Sequence, residues 1–236
     1  MTALAKTTPT RMPSPSPIRL ADEEAGLDLS GALHLPAHGA LVVADLHLEK
    51  GSALARRGSL LPPYDTCETL ARLAEVVERL EPATVIALGD SFHDRGGPGR
   101  LGPEDRAALL RLQRGRRWVW ITGNHDPAVE GVGGEVLAEL ALGALHLRHE
   151  PTVTGEAEVA GHLHPAAKVT LRGRAVRRRA FLTDGRRIIL PAFGAYAGGL
   201  NALDPAFRPL FPQGFTAHLL GDGRLFAVGR RVLGRD

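Results

Sequence analysis

Four short stretches of the 236-residue chain gather the residue types that hold divalent metal ions. Asp45-Leu46-His47, Gly89-Asp90, Gly123-Asn124-His125-Asp126 and Gly161-His162-Leu163-His164 offer carboxylate, amide and imidazole donors and no thiolate. Oxygen and nitrogen donors without sulfur suit manganese, iron or zinc in a working centre and argue against a structural zinc. Two such ions, roughly 3.5–4 Å apart, can clamp a phosphate and supply a hydroxide nucleophile, so the chemistry indicated is phosphoester hydrolysis. Singly, each motif is weak: Asp-x-His is common, and a lone histidine is more often a satisfied surface or core residue. Their number, order and shared position after a strand carry the reading.

Short apolar runs supply those strands. Ala40–Ala44 (ALVVA), Thr84–Leu88 (TVIAL) and Trp118–Thr122 (WVWIT) read as buried strands, each followed at once by a motif. In an open α/β sheet the C-terminal strand ends line the crevice where ligands bind. A further strand, Glu158–Gly161, leads into His162 and His164. Side chains two apart on an extended segment share a face, which predicts that Asp45 and His47 grip one ion together, and His162 and His164 likewise. The glycines before Asp90, Asn124 and His162 permit sharp turns and close backbone approach.

Helical spacing fills the gaps. Asp65 is expected to cap a helix, with Glu68 as capping-box partner and Leu70, Leu73, Ala74, Val77 and Leu80 on its apolar face. Pro103 opens a helix to about Leu112, and Gly134–Leu142 reads as a short helix ended by Gly143. After residue 144 short strands dominate: Ala144–Leu147, Ala175–Thr183, Arg187–Pro191, Phe215–Leu220 and Arg224–Val228. β-α-β units followed by hairpins predict an α/β fold of two packed sheets with helices outside. Residues 1–18, rich in Pro, Ser and Thr, read as a disordered tail, and 19–236 as a single domain.

Composition narrows the setting. No apolar run approaches the ~20 residues of a membrane helix. The N-terminal stretch lacks the apolar core of a signal peptide, so a cytoplasmic location with no membrane partner is expected. Cys67, the single cysteine, has no internal disulfide partner and fits a reducing compartment. Residues 1–150 carry 16 Lys/Arg against 20 Asp/Glu, and residues 151–236 carry 13 against 6. The basic final third suits an anionic partner, although an arginine-rich solvated surface reads the same way. Alternation in the Ala175–Thr183 strand splits Arg177 and Arg179 from Arg178, so that run is discounted as a DNA stripe.

Together the motifs resemble the calcineurin-like metallophosphoesterases over about residues 40–165. The longer stretches ADLHLEKGSALARRG, LLPPYDT, ALGDSFHDR, ITGNHDP, LRHEP, AGHLHPAAKV and LPAFGAYAGGLNALDPAF are similar to the bacterial ligase-associated DNA damage response endonucleases (the PdeM subfamily), to about residue 211. The resemblance implies a four-layer α/β/β/α metallophosphoesterase sandwich with two divalent ions, typically Mn²⁺. It places Asp45, His47 and His164 on one metal, Asn124, His149 and His162 on the other, and Asp90 between them. His149 is preferred to His146 because Glu150 and Pro151 follow it. A hydroxide held between the metals would attack phosphorus in line, and His125 would protonate the leaving oxygen.

Many relatives write the second motif Gly-Asp-x-x-Asp, the last Asp orienting the catalytic histidine. Here His93 stands at that position and Asp94 one later. Either is a candidate to orient His125, His93 is also a candidate substrate contact, and Asp126 is a candidate brace. Lys50, Arg56 and Arg57 are candidate phosphate or DNA contacts, with a solvated helix face as the plain alternative. The expected activity is a metal-dependent phosphodiesterase acting on DNA, an endonuclease in repair. A DNA ligase and a helicase as functional neighbours and a homodimer complete the expectation. The rivals are a phosphatase or phosphodiesterase for nucleotides or other small phosphoesters, and a non-catalytic scaffold on the same fold, which the full ligand set disfavours.

Overall fold

The computed structural model describes residues 13–59, 61–126 and 129–236. Its first sheet follows chain order: β1 (Ser16–Leu20), β2 (Glu23–Leu27), β3 (Leu33–Leu35), β4 (Ala40–Val43), β5 (Thr84–Leu88), β6 (Arg117–Ile121) and β7 (Glu135–Leu137). Strands β4 to β7 are parallel. Helices α1 (Lys50–Ala55) and α2 (Asp65–Leu80) connect β4 to β5, and α3 (Gly97–Arg100) and α4 (Pro103–Gln113) connect β5 to β6. The second sheet holds β8 (Glu139–Leu142), β9 (Leu145–Arg148), β10 (Glu158–Ala160), β11 (Ala166–Leu171), β12 (Arg174–Thr183), β13 (Arg187–Ile189), β14 (Thr216–Leu220), β15 (Leu225–Gly229) and β16 (Leu233–Gly234). Its order is β15-β14-β12-β13-β10-β9-β8, with β11 beside β12 and β16 beside β11.

Strands β4, β5 and β6 are apolar on both faces because both are covered, as parallel strands require. Val42, Ile86 and Val119 point between the sheets and meet Leu147, Val159, Phe181 and Ile188. On the opposite face Leu41, Val43, Val85, Trp118 and Trp120 pack on Leu70, Leu73 and Val77 of α2 and Leu109 of α4. The outer face of the second sheet, with Leu182, Ile189 and Ala217, is covered by Phe207, Leu210 and Phe211. Pro205–Phe207 in that last layer form a single 3₁₀ turn. The result is the α/β sandwich of two central sheets and two outer layers.

Several expectations need correction. Residues 16–18 of the expected tail lie in β1, which pairs antiparallel with β2. As an edge strand, β1 tolerates Pro17, whose missing N–H faces no partner strand; residues 1–12 lie outside the described residues. Gly134–Leu142 is not a helix but β7 and β8. Gly131, Gly133 and Gly134 all have positive φ, and the chain after them pairs with β6 and then β9. Completing two sheet edges overrides the helical spacing of its leucines. Asp65 is the first residue of α2 rather than its cap, and Tyr64 caps without a side-chain bond. The Asp65 carboxylate instead accepts the Gly51 N–H at 3.0 Å, tying α2 to α1. The second sheet is also less hairpin-like than expected, since β9, β10 and β13 run parallel. Among the described residues no helix is long and apolar enough to cross a membrane.

Candidate metal centre

Five parallel strands from two sheets end at one rim, and that convergence builds the site. In the first sheet Val43 is level with Ala87 and Leu88 with Ile121. Asp45, Asp90 and Asn124 therefore leave neighbouring strand ends together. In the second sheet Ala160 is level with Arg148, which brings His149 and His162 to the same edge.

The backbone at these turns is unusual. Asp45 (φ 54°), His47 (45°), Asp90 (45°), His162 (66°) and His164 (45°) all sit in the left-handed region. Non-glycine residues rarely adopt it, and such strain concentrates at functional sites. Asp45 and His47 thus converge through alternating left-handed residues, not through the extended alternation expected from sequence; His162 and His164, expected to grip one ion together, are instead turned by the same left-handed backbone into different donor groups. Main-chain bonds hold the turns: His47 N–H donates to Asp90 O at 2.9 Å, and Gly194 N–H to Asp45 O at 3.1 Å.

Among the described residues three clusters of possible ligands lie here, one of them His47, His93 and His125, and the other two are the groups expected to hold the metal pair. Asp45, His47 and His164 form one, and Asp90, His149 and His162 the other, with the ligand atoms of each within 4.8 Å. Asn124 Oδ1 joins the second at 2.9 Å from His149 Nε2 and 3.1 Å from His162 Nδ1. His164 Nε2 lies 3.3 Å from Asp45 Oδ1 and 3.3 Å from His47 Nε2. The floor of Asp45, Asp90 and His149 is buried, whereas Asn124 and His125 form an exposed lip.

The electrostatics suit cations. Burial, with the His164 ring second, pushes His47 down to about 3, which leaves a neutral imidazole with a free lone pair. Burial works against the Asp90 charge, but the His149 hydrogen bond and the His125 N–H hold its carboxyl at about 2. Burial also opposes charge on His149, yet its bond to Asp90 and the Asp45 and Asp90 charges push it up to about 9. The field that binds this proton equally favours a metal ion, whose arrival releases it. His149 Nδ1 donates to Leu88 O at 2.9 Å. The carbonyl can only accept, so Nδ1 carries the proton and Nε2 faces the donors, the second contact that metal-bound histidines usually make. Ring nitrogens facing one another 3.2–3.3 Å apart and the unpartnered buried Nδ1 of His47 fit divalent ions.

The remaining candidates separate. His125 Nδ1 donates to the main-chain carbonyl of His93 at 2.9 Å, and its Nε2 lies 3.9 Å from Asp90 Oδ2. Orientation of His125 thus comes from the His93 backbone. Asp94 is engaged by Arg100 at 2.8 Å, and Asp126, wholly buried, accepts the Phe92 N–H at 3.0 Å. Asp126 braces the Asp90 loop, and burial pushes its carboxyl up to about 6. The His93 ring stays beside His47 and His125, with centroids 5.6 and 5.5 Å away. Lys50 Nζ donates to Tyr196 O at 3.0 Å; the His93 ring is held below its ordinary pKa chiefly by burial, with the Lys50 and Arg57 charges adding to it. Arg56 is exposed at the end of α1. Sequence reading missed the 193–197 segment as a buttress; its signal is Gly194, where a side chain would strike the Leu46 carbonyl.

Gly123 has a comparable use, because a methyl there would run into the Asp90 main-chain nitrogen and carboxylate. Gly123→Ala is therefore expected to cost about 1–3 kcal/mol and to weaken metal uptake. Denaturant melts of the metal-free protein together with metal titration check both; an unchanged midpoint and affinity would remove the close-approach argument.

Fold and donor set together define a metal-dependent phosphoester hydrolase. Residues 40–178, more than half of the chain, match the calcineurin-like phosphoesterases, and the chain belongs to that family, which uses a dinuclear metal site. The crystal structure of Pseudomonas putida nuclease MPE is similar at TM-score 0.71 and 29% identity, covering 90% of this chain and 98% of that one. Yfce, a phosphoesterase from E. coli, gives TM-score 0.40 at 16% identity over 80% of this chain and 98% of its own. No curated protein matches the sequence.

Proposed function

We propose that the protein is a manganese-dependent phosphodiesterase that cleaves DNA. What supports this reading is a dinuclear donor set on an open lip, in a chain whose similar solved structure, over nearly its whole length, is a nuclease. Asp45, His47 and His164 would hold one ion, Asn124, His149 and His162 the other, with Asp90 between them. When bound, two divalent cations neutralise phosphoryl charge and activate water. Lys50, Arg56 and Arg57, in and just after α1, would attract the phosphate backbone, a contact weakened by salt. His125, its Nδ1 proton engaged by His93, would present Nε2 to the leaving oxygen as general acid. A repair role beside a DNA ligase and a helicase, and a cytoplasmic homodimer, extend the proposal from the motif resemblance.

The test compares supercoiled plasmid, single-stranded oligonucleotide, cyclic nucleotides and a nucleoside monophosphate, each with Mn²⁺, Fe²⁺, Zn²⁺ or none. DNA cleavage that needs Mn²⁺ and outpaces turnover of the small esters is expected. Faster turnover of a small ester would move the protein to the nucleotide-hydrolase reading.

A further inference from the structure

We propose that Arg100 is a positioning residue for His125, acting through the loop that carries His93; the proposal rests on the general-acid reading above. Here the acceptor of His125 Nδ1 is a main-chain carbonyl, not the carboxylate that the Gly-Asp-x-x-Asp form of the second motif would supply. A carbonyl orients a ring only as well as its own loop is held, so the question becomes what holds residues 91–97.

Arg100 is the strut. Its Nη1 meets Asp94 Oδ1 at 2.8 Å, directly after His93, and that same oxygen accepts the Gly96 N–H at 2.9 Å. Through Nε the guanidinium donates to Ser52 Oγ at 2.9 Å. Ser52 Oγ donates in turn to Glu49 Oε2 at 2.6 Å, and Glu49 Oε1 accepts from Thr66 Oγ1 at 3.1 Å. Glu49 is buried and is the second residue beyond His47. One planar cation therefore joins the loop bearing Asp90 and His93 to the turn bearing Asp45 and His47, and anchors both on α2. Two edges of a rigid fork do this together, which a point charge does poorly.

A direct substrate contact is the rival role, and the geometry opposes it. The Arg100 side chain is only 16% exposed, and its free nitrogen, Nη2, is buried without a partner. The N–H groups left on that nitrogen are buried away from an incoming phosphate. Asp94 is locked as well: burial raises its carboxyl, but the Arg100 bond and charge and the Gly96 N–H carry it below the ordinary range. The His93 main chain keeps one other tie, its N–H to Leu48 O at 2.9 Å. Phe92 N–H to Asp126, Leu48 N–H to Ser91 O and Gly97 N–H to Asp94 O still hold the flanks of the loop, so releasing Arg100 loosens the carbonyl between them, and misplacement by about 1 Å can cost ~10²-fold in rate.

The experiment uses Arg100→Gln and Arg100→Lys in the metal-loaded full chain. Two diesters are compared: bis(4-nitrophenyl) phosphate, whose leaving group departs unprotonated, and a dinucleotide, whose alkoxide needs a proton. For Arg100→Gln the fall in kcat is expected to be about tenfold larger or more on the dinucleotide, with KM and metal content held. Arg100→Lys should recover part of the difference. In the metal-free protein, ¹⁵N shifts of His125 should report one tautomer, protonated at Nδ1, and a mixture in Arg100→Gln. If Arg100→Gln melts below the assay temperature, Asp94→Asn breaks the same ion pair from its more exposed end and should show the same differential. Equal losses on both diesters, metal release, or an unchanged tautomer overturns the proposal. His125→Ala, run alongside, separates the failures. Should it show no leaving-group preference, the acid reading falls and the positioning role with it; should it show one while Arg100→Gln does not, only the positioning role falls.

Discussion

Asp90→Ala should lose the metal pair and, with it, measurable turnover. The Asp90 carboxylate is buried at 3% exposure, accepts the His125 N–H at 2.9 Å and approaches His149 Nε2 to 3.5 Å. It lies in one donor group, and its charge also acts on His47 in the other. Deleting a group that merely supports a metal ligand costs ~10–100-fold in affinity, so deleting this carboxylate should cost at least ~100-fold. Asp90→Asn keeps an oxygen to accept the His125 N–H and removes only the charge, which separates the two contributions. A ligand present at a hundred times its Kd stabilises the native state by about 2.7 kcal/mol. Chelation should therefore lower the melting temperature of the wild-type protein and leave that of Asp90→Ala unmoved. The metal-free variant need not be weaker than metal-free wild type, because Asp90 also repels Asp126, whose carboxyl it helps to raise. Metal analysis after gel filtration and paired melts with and without chelator are the measurements. Retention of two ions per chain by Asp90→Ala would sink its assignment.

This site was readable from sequence wherever its chemistry sits on side chains at the ends of buried parallel strands. Ala40–Ala44, Val85–Leu88 and Trp118–Ile121 are continuous apolar runs because both faces of β4, β5 and β6 are covered, and the polar residues beyond them have nowhere to go but the rim. Backbone chemistry left no such mark. That His125 leans on the His93 carbonyl, and that Asp45 and His47 meet through left-handed turns, depends on φ values no residue type announces. Asp94 drew attention because a carboxylate one place out of register invites a catalytic role; its partner Arg100, six residues on, became visible only in the folded loop. The leucines of 136–142 satisfied helical spacing and became two strands, since β6 and β9 each had an edge to fill. Strands β1 to β3 escaped notice because Pro17, Glu23 and Glu24 interrupt the apolar pattern where the sheet edge meets solvent.

His125→Ala separates proton delivery from metal binding, and its expected effect is a ~10²–10⁴-fold fall in kcat on DNA or another alkoxide ester. The His125 ring is 41% exposed on the lip above the buried floor and belongs to neither of the two donor groups expected to hold the metal pair. Because Nδ1 donates to a carbonyl, Nε2 is the atom turned toward an incoming ester, and any proton handed to a leaving oxygen must pass through it. Removing the ring should spare metal stoichiometry and change KM little, since the phosphoryl group is bound chiefly by charge. A competing arrangement exists nearby: His47, His93 and His125 also lie within 4.8 Å of one another as potential ligands. If His125 were a metal ligand there, the variant would bind fewer ions and fail equally on good and poor leaving groups. Metal content measured beside rates on an aryl and an alkyl ester therefore decides between acid and ligand. Near-normal turnover of the alkyl ester by His125→Ala would end the case for either role.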